Sequence, residues 1–129
     1  MARLGNAKLF LDTYAMVEYL RGSAAYKPYF EGTVLFTSML NLIELYYALL
    51  RESDDSTADG AYLAFRTHQT LITDEDVKDG MRFRLRQRSQ RVDFSYADAI
   101  GYAMSKRLDA KYLTGDSSFK SLPNVEFVK

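Results

Sequence analysis

The 129-residue chain has no cysteine and no tryptophan, two prolines and a single histidine, His68. Without cysteine there is no disulfide, no thiolate nucleophile and no zinc–thiolate site, and the composition suits a reducing cytoplasm. One histidine supports neither a two-histidine acid–base pair nor a multi-histidine metal site, and His68 reads as a helix-surface or boundary residue. Excess positive charge is also missing, with 17 Lys+Arg against 17 Asp+Glu. That balance argues against a broadly basic nucleic-acid coat and leaves a local site open. No apolar run is long enough to span a bilayer, so no membrane role is expected. Arg3 and Lys8 precede only a short apolar stretch, which Asp12 and Glu18 interrupt, unlike a signal peptide. Repeats, low-complexity tracts and Pro/Gly-rich linkers are absent as well, and the expectation is one domain over residues 1–129.

What is present alternates. "KLFLD" (8–12), after Gly5 and Asn6, reads as a buried strand, and "TYAMVEYLRG" (13–22) as a helix stopped by Gly22. "TVLFTS" (33–38) is strand-like and leads into the apolar helix "MLNLIELYYALL" (39–50). "SDDSTADG" (53–60) reads as an acidic break, followed by helices near 58–70 and 74–91. "SYADAIGYAMSKRL" (95–108) is a helix, while "AKYLTG" (110–115) and "VEFVK" (125–129) are short strands. Strand–helix alternation at both ends predicts an α/β domain with a mainly parallel sheet flanked by helices. In such sheets, sites form beyond the carboxyl ends of the strands.

Four acids occupy comparable places: Asp12 closing the first strand, Glu44 early in its helix, Asp98 in the first turn of its helix, and Asp116 after "YLTG". On a helix, Glu44 shares a face with Leu40, Asn41, Tyr47 and Ala48, and burial there would be costly without a partner. Each acid also has a structural explanation. Asp12 can cap a helix, Asn41-x-x-Glu44 and Ser95-x-x-Asp98 resemble capping pairs, and Asp116 suits a turn. As a set, four carboxylates in one pocket would repel strongly unless a hard cation relieved them. An oxygen-only ligand set points to Mg²⁺ or Mn²⁺, ions that activate water for attack on a phosphodiester.

The blocks "FLDTYAMVEYLRG", "TSMLNLIELYYALL" and "DFSYADAIGYAMSKRLDAKYLTGDSSFKSLPNVEFVK" resemble, in order and spacing, those of the PIN-domain nucleases, and among these the VapC-type toxins. The resemblance covers nearly the whole chain, with residues 53–92 least informative. It implies a three-layer sandwich around a mainly parallel sheet. It also implies a metal-dependent endoribonuclease with Asp12, Glu44, Asp98 and Asp116 as the catalytic and metal-binding acids. Thr114 accompanies Asp116, while Thr13 and Ser38 are supporting polar positions. A homodimer and a small VapB-type antitoxin blocking the acidic cleft are implied as partners.

Two further roles remain on the sequence: a non-catalytic PIN-like module binding RNA or protein, and a housekeeping RNA-maturation nuclease without an antitoxin. The intact acidic set argues against the first. A haloacid-dehalogenase-type reading expects a second Asp at the place of Tyr14. Arg82, Arg84, Arg86, Arg88 and Arg91 flank a Val77–Met81–Leu85 stripe expected to face the core. These arginines either cover the helix edge with their stems or contact RNA phosphates, with Arg84 and Arg88 the candidates.

Overall fold

Residues 7–129 are described in the computed structural model, so Gly5 and Asn6 lie outside the described residues. Near-continuous apolar runs make central parallel strands, because such strands are covered on both faces. That is the case for β1 (Lys8–Leu11) and β3 (Lys111–Thr114), buried at every residue but the first lysine. With β2 (Val34–Phe36) and β4 (Val125–Phe127) they form a sheet of order β2-β1-β3-β4, parallel throughout. Alternation then sorts the core. Leu9, Leu11 and Leu113 face one cluster with Leu42, Leu45, Leu49 and Phe65. Phe10 and Tyr112 face the other, with Phe83, Phe94, Ile100, Tyr102 and Phe119.

The first face is covered by α1 (Thr13–Leu20), α3 (Met39–Glu52) and α4 (Asp55–Arg66), the second by α5 (Asp74–Ser89) and α6 (Tyr96–Arg107). The expected three-layer α/β sandwich is therefore present. A single turn, α2 (Lys27–Phe30), has no counterpart in the sequence reading. It is started by Pro28 near its N-terminus and anchored next door by the Tyr26 phenol, which donates to the Val128 carbonyl. His68 lies half-buried just past α4, where its carbonyl accepts from the Thr37 N–H at 3.0 Å.

Three expectations are corrected. The acidic break at 53–60 is much shorter, since α4 begins at Asp55. Asp54 caps it by accepting from the Thr57 N–H at 2.7 Å, and Ala58, Ala61 and Phe65 are buried. Acids so placed favour a helix start, because its N-terminal dipole end is positive. In α3 the core face is Asn41, Leu42, Leu45 and Leu49; Glu44 is exposed, and Tyr47 is 62% exposed. Glu44 is thus not desolvated on an apolar face. The helix is apolar on several sides, and only contact with the sheet decides which side is core.

In α5 only Met81 of the Val77–Met81–Leu85 stripe packs against the core, while Val77 is 43% and Leu85 72% exposed. Asp76, Gly80 and Phe83 are buried instead. Gly80 explains the choice: a β-carbon there would stand 2.9 Å from the Ile100 α-carbon and 3.1 Å from the Ala99 carbonyl oxygen. The two helices touch backbone to backbone at this point. Alanine is the better helix former by about 1 kcal/mol, whereas overpacking a tight contact costs roughly 1–3 kcal/mol and has no flexible neighbour to absorb it. Gly80→Ala is expected to lower the melting temperature; an unchanged or raised value in thermal unfolding would contradict the close approach.

Candidate active site

In a parallel α/β sheet, each strand's carboxyl end is also where the next helix begins. An acid placed there can cap a helix and line a site at once, so the two readings of each acid are not alternatives. Asp12, 3% exposed, accepts from the Ala15 N–H at 2.8 Å and caps α1. Asp98 forms a capping box with Ser95: its Oδ2 accepts from the Ser95 N–H at 3.2 Å, while its own N–H donates to the Ser95 hydroxyl at 3.0 Å. Asp116 accepts from the Ser118 N–H at 2.9 Å and starts a 3₁₀ turn (Ser117–Phe119). Its N–H donates to the buried Thr114 hydroxyl at 3.0 Å. In Asp98 and Asp116 the other carboxylate oxygen accepts no side-chain or backbone bond among the described residues.

Glu44 reaches the same edge through a directed chain. The Ser38 hydroxyl donates to Asn41 Oδ1 at 2.7 Å, Asn41 Nδ2 to the Thr13 hydroxyl at 3.4 Å, and Thr13 to Glu44 Oε1 at 2.6 Å. The chain joins the start of α3 to the start of α1. Ser38, not Asn41, is the cap of α3, with the Asn41 N–H donating to its hydroxyl at 3.4 Å. Thr13 therefore holds Glu44 directly and Ser38 holds it through Asn41, a link that the sequence offered only as a helix cap. Its signal was present: a buried-face asparagine three residues after a serine cap.

The four carboxylates share one electrostatic field. Burial pushes the Asp12 carboxyl up to about 7; the Thr114 hydroxyl and the Ala15 N–H oppose this, and the charges of Asp98 and Asp116 add to it. Asp98 is also raised, by burial first, against its Ser95 bonds and with the charges of Glu44 and Asp116. Among the described residues no ion pair engages any of the four. Nor do three acidic or imidazole side chains there converge into a ready-made metal cage. The donor chemistry nonetheless fits a hard divalent ion: oxygen atoms only and concentrated negative charge, although Lys129 stands at the rim, its Nζ donating to the Gly115 carbonyl at 3.3 Å. Asp12, Asp98, Asp116 and Glu44 are the residues that could hold one.

The arginines lie apart from this edge or are already engaged. Arg84 donates to the Phe94 carbonyl at 2.7 Å and to Asp93 at 3.3 Å, and its guanidinium lies 4.9 Å from the Tyr96 ring centre. Arg88 is exposed. Arg82 and Arg86, with Lys106 and Arg107, line a cleft of about 410 Å³ between α5 and α6. That cleft lies toward the C-terminal end of α6, the opposite end from Asp98.

Several solved structures share the fold. The VapBC2 complex of Rickettsia felis, bound to a DNA fragment from its promoter, is 15% identical, with 95% of this chain and 99% of that one covered at a TM-score of 0.75. The sarcin–ricin loop cleaving toxin VapC20 of Mycobacterium tuberculosis is 20% identical, with 94% and 99% covered and a TM-score of 0.76. A toxin–antitoxin complex of Klebsiella pneumoniae is 16% identical, with 92% and 95% covered and a TM-score of 0.73. No curated protein matches the sequence significantly. The family model for the PIN domain matches residues 9–125, the stretch that carries all four acids, and the chain belongs to the PIN-domain family.

Proposed function

We propose that this protein is a Mg²⁺- or Mn²⁺-dependent endoribonuclease that hydrolyses single-stranded RNA, and that it is the toxin of a VapBC-type pair acting in the cytoplasm. The observation that carries the reading is the acidic edge that no ion pair among the described residues neutralises: Asp12 is buried and proton-binding near neutrality, in the field of Asp98 and Asp116. PIN-family membership and the toxin–antitoxin complexes among the structural neighbours support it.

A bound divalent ion supplies Lewis acidity toward water and the phosphodiester at such a site. The chain's own residues supply position. The Ala15 N–H fixes the rotamer of Asp12, the Ser95 pair fixes Asp98, and the Ser118 N–H fixes Asp116. Thr13 holds Glu44 at the solvent-facing rim, where substrate enters. The first turns of α1 and α6 add partial positive charge for an incoming phosphate.

Two partners belong to the reading. A VapB-type antitoxin covers the acidic cleft, and a homodimer covers the exposed stripe Val77 and Leu85 on α5 or Ile43 and Tyr47 on α3. Apolar residues exposed in rows, rather than singly, mark association surfaces. Arg88, exposed on α5, and Arg84 at its base remain the proposed phosphate contacts.

Purified protein is expected to cut RNA with either ion, to stop on chelation, and to leave 5′-phosphate and 3′-hydroxyl ends. Chelator-resistant cutting, or none across a varied RNA panel, overturns the enzymatic reading. Growth arrest on expression, relieved by the small reading frame encoded beside it, tests the toxin role separately.

A further inference from the structure

The Tyr112 hydroxyl is the one buried side-chain polar atom among the described residues with no hydrogen-bond partner. Buried polar groups are nearly always satisfied, and an orphan costs free energy that a phenylalanine of the same shape would not incur. Nothing in the packing requires the oxygen. The ring stacks beside Phe10 at 5.8 Å and against Phe119 at 4.5 Å, contacts that phenylalanine would keep.

Its location gives the oxygen a purpose. Phe10 and Tyr112 are paired across β1 and β3 on the same side of the sheet. Because side chains alternate, that side leads two residues on to Asp12 in one strand and to Thr114 in the other. Above the two rings sits Gly101 of α6, so close that a β-carbon would stand 3.3 Å from Tyr112 Cε1. Asp98 lies three residues earlier on α6, on the same helix face. Tyr112 therefore stands on the side of the sheet that leads to Asp12 and Asp98. The charges of Asp12, Asp98, Glu44 and Asp116 all reach it, and after burial they hold its proton firmly in place.

We propose that Tyr112 is a positioning residue: its hydroxyl donates a hydrogen bond to the Asp12 carboxylate when the acids close around a divalent cation, fixing the ligand's loaded orientation. The inference rests on the metal-dependent reading above. It also accounts for two observations together. Among the described residues the acids do not converge into a ready-made cage, and a buried donor on their side of the sheet has no partner. Asp12 is the acceptor because, of the four acids, it is the fully buried one and lies two residues past Phe10, the ring beside Tyr112. A neutral donor suits the task, since it favours the charged ligand without competing with the cation.

The test is Tyr112→Phe, with direct Mn²⁺ titration of the full chain, thermal unfolding of the metal-free protein, and RNA cleavage. Outer hydrogen bonds to metal ligands are worth about 10–100-fold in affinity. The expected result is Mn²⁺ binding weakened about 10-fold or more, cleavage reduced in parallel, and a metal-free melting temperature unchanged or raised. Unchanged Mn²⁺ affinity overturns the proposal. A lower metal-free melting temperature also overturns it, whatever the affinity, because the hydroxyl would then belong to the resting fold. Wild-type protein that takes up no Mn²⁺ removes the metal reading itself, and this role with it.

Discussion

Asp12→Asn is expected to abolish RNA cleavage while making the metal-free protein more stable at pH 8. Asparagine keeps the side-chain oxygen that accepts from the Ala15 N–H, so the cap of α1 survives. What disappears is a buried carboxylate whose pKa rises on folding from 3.8 to about 7. The sign follows from proton binding. Between those values the folded chain holds a proton that the unfolded chain has released, so the wild type is stabilised at low pH. That stabilisation is lost as pH rises through about 7. Three pH units correspond to on the order of 4 kcal/mol.

The wild type without metal should therefore melt progressively lower from pH 5 to pH 8, and the variant should fall much less. Asp98, raised in the same direction, contributes to both curves. Added Mg²⁺ or Mn²⁺ should restore the wild type at pH 8 and do little for the variant, because a ligand stabilises only the state that binds it. Cleavage should drop more than about 100-fold, beyond the usual loss for an outer partner of a metal ligand. Parallel pH–melting curves for the two proteins, or an active variant, would refute the role of Asp12.

The second large effect concerns stability alone. Asp76, 2% exposed, completes the capping box of α5 by accepting from the Thr73 N–H at 2.9 Å. It also accepts from Arg107 Nε at 2.9 Å and from Nη2 at 2.9 Å, which ties the start of α5 to the end of α6. Burial alone would raise its pKa. The Arg107 hydrogen bonds, the Thr73 bonds and the Arg107 charge outweigh that, and the carboxyl ends up below its ordinary value.

Asp76→Ala leaves a guanidinium without its acid and a helix start without its cap. Breaking a buried pair costs about 3–5 kcal/mol, and the lower end applies because Arg107 is partly exposed. The melting temperature should drop by roughly 10 °C. Since the native pKa is depressed, the wild type keeps this advantage above the ordinary carboxylate range and loses it as pH falls through the native value. Urea unfolding at neutral and acid pH checks both parts. A neutral-pH loss under about 0.5 kcal/mol, the range of ordinary surface changes, would show the pair to be incidental.

Much of this arrangement was legible in the residues. "KLFLD" and "AKYLTG" announced their strands because central parallel strands are apolar throughout. Ser95-x-x-Asp98 announced a capping box, which is present. Asp12, Asp98 and Asp116 could be placed together because strand ends and helix starts coincide in this topology. The burial of individual faces was not legible. Residues 39–50 have apolar side chains on most sides of the helix, and the contact that turns Leu45 inward and Glu44 outward is made with distant strands. On α5, Gly80 outweighed a longer apolar stripe, since close backbone approach depends on what is absent from a side chain. The donor role of Asn41 and the orphaned oxygen of Tyr112 arise only from three-dimensional neighbours.

The strand order carries a consequence for synthesis. β1 is interior to the sheet and pairs with β3 through Leu9 and Lys111, and the chain between them includes α1 through α6. As the polypeptide leaves the ribosome, Asp12 emerges well before Asp116, with Glu44 and Asp98 in between. Pairing across so long an interval also makes closure of the sheet a slow, late step. A nascent chain thus carries Asp12 without its later companions, and the acidic edge is assembled only once β3 has been made and has paired with β1.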